Sequence, residues 1–475
     1  MARFAHVPTE IIDRILCFIP RSGLPNLCLV NQSLRQSAER FLYSTIILHW
    51  DYSDIPPIIL LLRTLLQRPE LFTYVHTITF LGDDFDDGTP PLPDIAEIPF
   101  EQFIPAIEKT QVPYTKLWID RLKTGNMEAL VGLLIANLSR TRRLALNHGF
   151  INGCSLVGKV IQSKVFGGGQ LLAFEQLEDV RYIKEFDYSF PENNSTFTDV
   201  LSLFYLPTVT HISAWIPNPT TFSWPAGEPN LDHLTSLDID WLCESFMAKI
   251  LALTRNLKSL SWTWECYSEL DDVDPWKTST LDLDAIIAVL SHVKRTLERL
   301  QFLLEIGEAS LIDDEPKMTV LGSFSNLVHF NRLTHIDVPF VTLADFGPDA
   351  LPLERYLPDS VEVLSLSTGM LVHDAVKWYT NDFDRGNGDD ADDYFVQMIQ
   401  SLAAVYPTRL PRLRHINIVD EHCCFQNGNL ATLTKGLALG FDVQITDRCG
   451  WFDQRESFEY QTPAVWEQDS LEEPS

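Results

Sequence analysis

The feature that most constrains this chain is a recurring spacing, with apolar residues at the first, fourth and sixth positions of a short segment. In one instance these positions are Leu234, Leu237 and Ile239. Alternating apolar residues of this kind predict a short strand with one buried face. The segments start at Val75, Tyr114, Leu177, Val209, Leu234, Leu257, Leu297, Leu333, Val361 and Leu413.

Three weaker segments extend this series. Arg143–Leu146 has Thr141 in its first apolar position, while Tyr43 and Val443 would open and close the series. Helical patterns lie between the strands, at Ile58–Leu66, Met127–Leu138, Leu156–Phe166, Phe246–Leu253, Leu283–Val293 and Tyr394–Val405. Strand and helix alternating at irregular intervals predict an α/β fold, specifically an irregular leucine-rich-repeat-like solenoid with parallel strands. A non-repeating α/β domain is the alternative.

A different pattern occupies residues 5–48, where three short helices are predicted. The first opens at Pro8, which suits the first position of a helix, and ends at Pro20. Asn31 is placed to cap the third helix. Helical segments this short bury little surface alone, so we expect the module to dock against something else.

The segments of this module resemble the F-box of fungal F-box proteins. They are Val7–Ile11, Ile15–Leu16, Leu27–Val30 and Phe41–Ile46. The resemblance implies that the helices bind the Skp adaptor of a cullin-based, SCF-type ubiquitin ligase while the rest of the chain selects a target protein. The implied adaptor-binding residues are Pro8, Ile11, Ile15, Leu16, Leu27, Leu29 and Val30. Some of these must form the module's own core, and the sequence leaves that division open.

The charge balance bears on the class of partner. The 475 residues include 36 basic and 65 acidic side chains, a net charge of -29. Nucleic acids and anionic membranes bind clustered basic residues, so we expect neither as a partner. The longest apolar run, Ile58–Leu66, is interrupted by Arg63 and is far shorter than the ~20 residues that span a bilayer.

The eight cysteines show no disulfide-framework spacing, and the first 20 residues lack a secretory leader pattern. Reduced thiols are typical of the cytoplasm and nucleus, which is the localisation we expect.

No motif in the sequence predicts catalysis, a metal or a cofactor, so we expect a non-catalytic protein. The acidic stretch Asn381–Asp393 lacks the ligand spacing of a calcium loop. Among His415, His422, Cys423, Cys424 and Cys449, the adjacent thiols are poorly placed to share one zinc ion. Gly167–Gly169 lacks the following residues of a phosphate loop.

If the strands form an open surface, the residues between their buried positions face a partner. The residues we expect to bind the target are Trp118, Asp120, Trp215, Asp238 and Asp240. Others on the same predicted face are Lys116, Arg181, His211, Ser261, Thr263, Gln301, Asp337, Ser365, His415 and Asn417. Exposed aromatic residues often anchor interfaces, although loops can cover such a surface.

The sequence therefore predicts an F-box-like module at 5–48, a solenoid at 49–450 and an acidic tail at 451–475. The function it favours is substrate recognition for an SCF-type ubiquitin ligase, with an unknown target protein. Two alternatives stay open: an F-box-like scaffold without a role in ubiquitination, and an enzyme whose site forms only in space.

Overall fold

The fold is α/β, with parallel strands and interspersed helices. The computed structural model describes residues 7–50, 55–82, 100–147, 150, 156–183, 197–216, 222–266, 280–306, 319–343, 352–367, 389–406, 408–420 and 440–447. The chain divides into two compact units, Met1–Asp240 and Trp241–Ser475, where the sequence predicts one body over 49–450. The predicted tail at 451–475 lies outside the described residues.

The first unit begins with three helices: α1 (Thr9–Cys17), α2 (Leu24–Cys28) and α3 (Gln32–Ser44). α1 starts directly after Pro8, and Asn31 Oδ1 accepts a hydrogen bond from the Leu34 amide at 2.9 Å. The predicted cap of the third helix is therefore confirmed. α3 runs directly into the first strand of the sheet.

Six strands of the first unit form parallel pairs in the order in which they occur in the sequence. They are β1 (Thr45–Trp50), β2 (Thr77–Gly82), β3 (Arg143–Leu146), β4 (Asp179–Tyr182), β5 (His211–Trp215) and β6 (Ser236–Asp240). β6 illustrates the burial pattern: Leu237 and Ile239 are buried, whereas the residues between them are half-buried. A strand with this pattern contributes one face to the core and one to a more open surface, whereas β5 is buried on both faces from Ile212 to Trp215.

Helices lie between consecutive strands from β1 to β5. They are α4 (Ile58–Gln67), α5 (Ile104–Lys109), α6 (Thr115–Lys123), α7 (Met127–Ala136), α8 (Leu156–Phe166) and α9 (Phe197–Leu203). Short 3-10 turns lie at Arg21–Gly23, Pro69–Tyr74 and Phe100–Phe103. Every described residue of α7 is buried, which fits its almost wholly apolar sequence.

One predicted strand is wrong. The segment that starts at Tyr114 is helix α6, in which Trp118 and Leu122 are buried one turn apart. The true strand is β3, the weaker instance of the pattern. Thr141 occupies its first apolar position because it is fully buried and its hydroxyl donates a hydrogen bond to the Val75 carbonyl at 3.1 Å.

The second unit also holds six strands that pair in parallel. They are β7 (Ser259–Cys266), β9 (Arg299–Ile306), β11 (His335–Pro339), β12 (Val363–Ser367), β13 (His415–Asp420) and β14 (Asp442–Asp447). A separate parallel pair is formed by β8 (Thr280–Asp282) and β10 (Thr319–Leu321). Motif residues such as Leu300, Ile336 and Leu364 are buried in the core.

The helices of this unit are α10 (Glu244–Leu251), α11 (Leu283–Leu290), α12 (Phe340–Leu343) and α13 (Asp389–Val405). Further 3-10 turns lie at Ser291–Val293, Phe324–His329 and Leu353–Arg355. Among the described residues of both units, no helix has the length and apolar character needed to cross a bilayer. Cys17, Cys28 and Cys243 carry free thiols.

Candidate functional site

The N-terminal helices carry an apolar surface that their own packing leaves uncovered. On α1, Ile12 and Leu16 are buried, whereas Ile11 and Ile15 are 47% and 46% exposed. Phe18, at the end of the helix, is 85% exposed. The spacing of 11, 15 and 18 places these residues on one helix face. The apolar stripe of α1 is therefore wider than the core it covers.

That core is small. Ile12, Leu16, Leu24 and Ala38 form a buried cluster, one or two residues from each helix. Partly buried residues packed against it are Val7, Ile19, Leu27, Cys28, Leu34, Phe41 and Leu42. Asp13 of α1 also lies 3.7 Å from the guanidinium of Arg40 on α3.

The structure divides the predicted adaptor-binding residues into two groups. Pro8, Ile11, Ile15, Leu29 and Val30 are exposed. Leu27 is half-buried against the core.

Leu16 requires a correction, because it is only 3% exposed and belongs to the module's own core. Phe18, which the prediction omitted from the interface, is 85% exposed, as is Leu29, and among the described residues these are the two most exposed large apolar side chains. Its position just before Pro20, where the sequence predicts the end of the helix, was the available signal. We call Ile11, Ile15, Phe18, Leu29 and Val30 the N-terminal apolar surface.

An ion-pair network joins this module to the segment that follows α4. The carboxylate of Glu39, on α3, accepts hydrogen bonds from two nitrogens of Arg68 at 2.6 and 2.8 Å and from Arg35 at 2.7 Å. These bonds lower the pKa of Glu39 to about 2, with the Arg68 bond the largest cause. Arg68 follows α4 directly, so the third helix is tied to the packed part of the unit.

Two of the predicted target-binding residues lie elsewhere than expected. Trp118 is fully buried on α6, and its indole Nε1 donates a hydrogen bond to the Ala129 carbonyl at 2.9 Å. Its ring packs about 6.1 Å from that of Tyr114. Asp120 is exposed but lies on the same helix rather than on a strand. Neither residue belongs to the strand surface.

The other three lie on adjacent strands, as predicted. Asp238 and Asp240, on β6, are half-buried, and Asp238 accepts a hydrogen bond from the Ser213 hydroxyl at 2.9 Å. Trp215, on β5, is only 7% exposed. Its burial corrects the expectation that it anchors a partner, because little of its ring is available for contact.

Beside them, His211 of β5 lies 3.9 Å from the carboxylate of Asp179 on β4. Burial lowers the pKa of His211, against the opposing effect of Asp179. His211 Nε2 and Asp179 Oδ1 make no hydrogen bond within the described part of the chain. The distance is too long for a hydrogen bond and Ser213 is bonded to Asp238 instead, so these groups do not form a nucleophile–base pair.

Lys164 is a further buried titratable group, and its ammonium is surrounded by main-chain carbonyls. Its Nζ donates to the carbonyls of Ala136, Leu138 and Leu172 at 3.3, 2.7 and 2.5 Å. The ring of Phe174 lies 4.4 Å away. Burial lowers the pKa of Lys164 to about 7. These three hydrogen bonds indicate that Lys164 has a structural role, because they connect the segment after α8 to the end of α7.

Within the described ranges, no group of three or more His, Cys, Asp or Glu side chains is placed to hold a metal ion. His415 is exposed on β13. His422, Cys423, Cys424 and Cys449 lie outside the described residues, as does most of the acidic stretch Asn381–Asp393.

Together these observations define a class: an α/β protein with an uncovered apolar surface on its first helices and a half-exposed polar face on its strands. No protein-family model matches the chain. A search of curated proteins likewise gave no match.

Proposed function

We propose that this chain is an F-box-type substrate receptor of an SCF-type ubiquitin ligase. In this proposal the N-terminal helices hold a Skp adaptor and the strand-rich region presents a target protein. The observation that carries it is the N-terminal apolar surface, where Ile11, Ile15 and Phe18 stand exposed on one face of α1. Large exposed apolar residues grouped on one face are typical of a protein-binding site.

The proposed solenoid architecture is supported by strand order. Within each unit the long parallel strands follow the sequence without reversal. Doubly wound sheets reverse their order at a switch point and are covered by helices on both faces. Here alternate residues of strands such as β2 and β6 are half-exposed. A repeating array with one open face accounts for both features.

The chemistry of such a receptor is positioning. Binding adaptor and target on one chain raises the effective concentration of the target near the ligase, so that other subunits carry out the transfer. This role needs no catalytic group in the receptor itself. We place it in the cytoplasm or nucleus, in keeping with the free thiols of Cys17, Cys28 and Cys243.

The proposal is tested by co-purification of the full chain with a Skp adaptor. An Ile11→Asp, Ile15→Asp double variant should reduce adaptor binding at least tenfold, because burying one such side chain contributes about 1.5–3 kcal/mol. Leu60→Asp is the matched control, since Leu60 is 54% exposed on α4 and lies outside the N-terminal surface. It should bind like the unmodified protein.

Circular dichroism and thermal unfolding of all three proteins would establish that the substitutions leave the fold intact. Equal adaptor binding by the double variant and the control would contradict the proposal. So would the failure of the unmodified chain to bind the adaptor.

A further inference from the structure

Six polar side chains lie side by side across the strands of the second unit. They occupy one register position, so each is the direct neighbour of the next. All are at least partly exposed, while the apolar residues on either side along most strands are buried. We call this set the polar row: Ser261, Gln301, Asp337, Ser365, Asn417 and Gln444.

Part of the polar row is held in place by hydrogen bonds between its own side chains. The Ser261 hydroxyl donates to Gln301 Oε1 at 3.1 Å, and Gln301 Nε2 donates to Asp337 Oδ2 at 2.9 Å. Asn417 Oδ1 accepts from the Thr446 hydroxyl, on β14, at 2.9 Å. Side chains fixed in this way lose little conformational entropy when a partner binds.

The middle of the row offers unused hydrogen-bonding groups. Within the described residues, neither the Ser365 hydroxyl nor Asn417 Nδ2 donates a hydrogen bond, and both side chains are half-exposed. A side-chain amide presents a donor and an acceptor in the same plane, as a peptide unit does. Asn417 can therefore pair with the main chain of a partner.

The charges of the polar row limit the kind of partner that can bind it. The chain carries a net charge of -29, yet Asp337 is the one charged member of the row, and Gln301 already bonds to it. On the two flanking register positions, Leu303 on one side and Val363 on the other add half-exposed apolar contacts. The position of Val363 also carries Arg299 and Asp442, which are exposed and of opposite charge. A polyanion would require clustered cations, and a strongly basic segment would require several carboxylates. The row fits a segment with little net charge.

We propose that the polar row binds an extended, nearly uncharged peptide segment and recognises it through main-chain groups. The segment would run across the strands. Neighbouring strands lie about 4.8 Å apart, so five intervals span about 24 Å, the length of about seven extended residues. This inference rests on the proposed function only in taking the segment to belong to the ligase target.

The test uses a displayed library of random peptides, each about twelve residues long and so longer than the row, selected on the full chain. Selected peptides should bind at least about tenfold more weakly to Ser365→Arg, which places a bulky side chain at the centre of the row. Ser291→Arg is the matched control, because Ser291 is exposed in the turn after α11. Asn417→Ala, which adds no bulk, should also weaken binding.

Two further measurements identify the mode of recognition. Methylating single backbone amides of a selected peptide should weaken binding at one position or more by about tenfold, because each methyl removes a donor. Binding should change less than about threefold between roughly 50 and 500 mM salt, since few charges meet.

Equal binding to Ser365→Arg and Ser291→Arg, no enrichment of any peptide, or a steep salt dependence would each overturn the inference. The peptide assay contains no adaptor. A chain that binds peptides at the polar row but fails to bind the adaptor would therefore refute the proposed function and leave this inference standing, and the reverse result would do the opposite.

Discussion

Glu39 is a residue on which the packing of the first helices depends. It is 7% exposed and meets Arg68 through two hydrogen bonds. Replacing it by Gln removes the charge that Arg68 and Arg35 both contact. We expect Glu39→Gln to lower the free energy of unfolding by about 2–4 kcal/mol at neutral pH. Urea denaturation measures this value.

The effect should depend on pH in a defined direction. The pKa of Glu39 falls from 4.5 to about 2 in the folded protein. A carboxyl with a lowered pKa stabilises the fold above its unfolded pKa and loses that contribution as pH falls through the folded value. The difference between Glu39→Gln and the unmodified protein should therefore shrink from pH 4.5 towards 2. Glu70→Gln is the control, because Glu70 is exposed and meets Arg68 once; a loss equal to that of Glu39→Gln would contradict the prediction.

Residue-scale burial on α1 shows what the sequence could and could not predict. The spacing of apolar residues predicted the helix and its wide stripe. It did not predict that Leu16 faces inward and Ile15 outward, because that rotation depends on where α3 packs. The spacing of apolar residues shows how wide the apolar face of a helix is. Which residues of that face are buried depends on where the partner helix packs.

At the scale of elements, the packing of α8 depends on the hydrogen bonds that Lys164 makes. The buried ammonium holds carbonyls of residues that follow α7 and α8. Burial lowers its pKa to about 7 from 10.5. Between these values the unfolded chain keeps the proton that the folded protein loses, so raising the pH favours folding.

The free energy of unfolding should therefore rise from about pH 7 towards 10.5, by at most about 1.4 kcal/mol per pH unit. Lys164→Gln should abolish this rise, and the comparison of the two proteins isolates the contribution of Lys164 from that of other groups. Chemical denaturation at several pH values measures it. A flat difference between the two proteins over this range would refute the prediction.

The segment after Tyr114 shows why the strand pattern alone misled. Its spacing matches a strand, but Trp118 and Leu122 repeat with helical spacing as well. The helix prevails because it buries both residues and lets the indole of Trp118 bond to the Ala129 carbonyl on α7. The other nine predicted strands and all six predicted helices coincide with elements of the structure.

At the scale of the whole molecule, excess negative charge opposes compactness. The chain has a net charge of -29, and its like charges repel one another more strongly when it is folded than when it is extended. We expect the melting temperature at neutral pH to rise as salt increases from about 20 to 200 mM, because screening weakens this repulsion. Differential scanning calorimetry measures it.

The control is the same salt series near pH 4.7, the isoelectric point of the sequence. There the net charge vanishes, and salt should have little effect on the melting temperature. A rise of equal size at both pH values would point to a salt effect unrelated to net charge.

The hydrogen bonds between Glu39 and Arg68 affect how a bound partner would be oriented. Since these bonds join α3 to the residue after α4, and α3 continues without a break into β1, the N-terminal helices are attached to the rest of the first unit at two points. A partner bound at Ile11 and Ile15 would therefore be held in a restricted orientation relative to β1 and β2. Loss of these hydrogen bonds would remove one of the two attachments, and the orientation of a partner bound at Ile11 and Ile15 would then vary more.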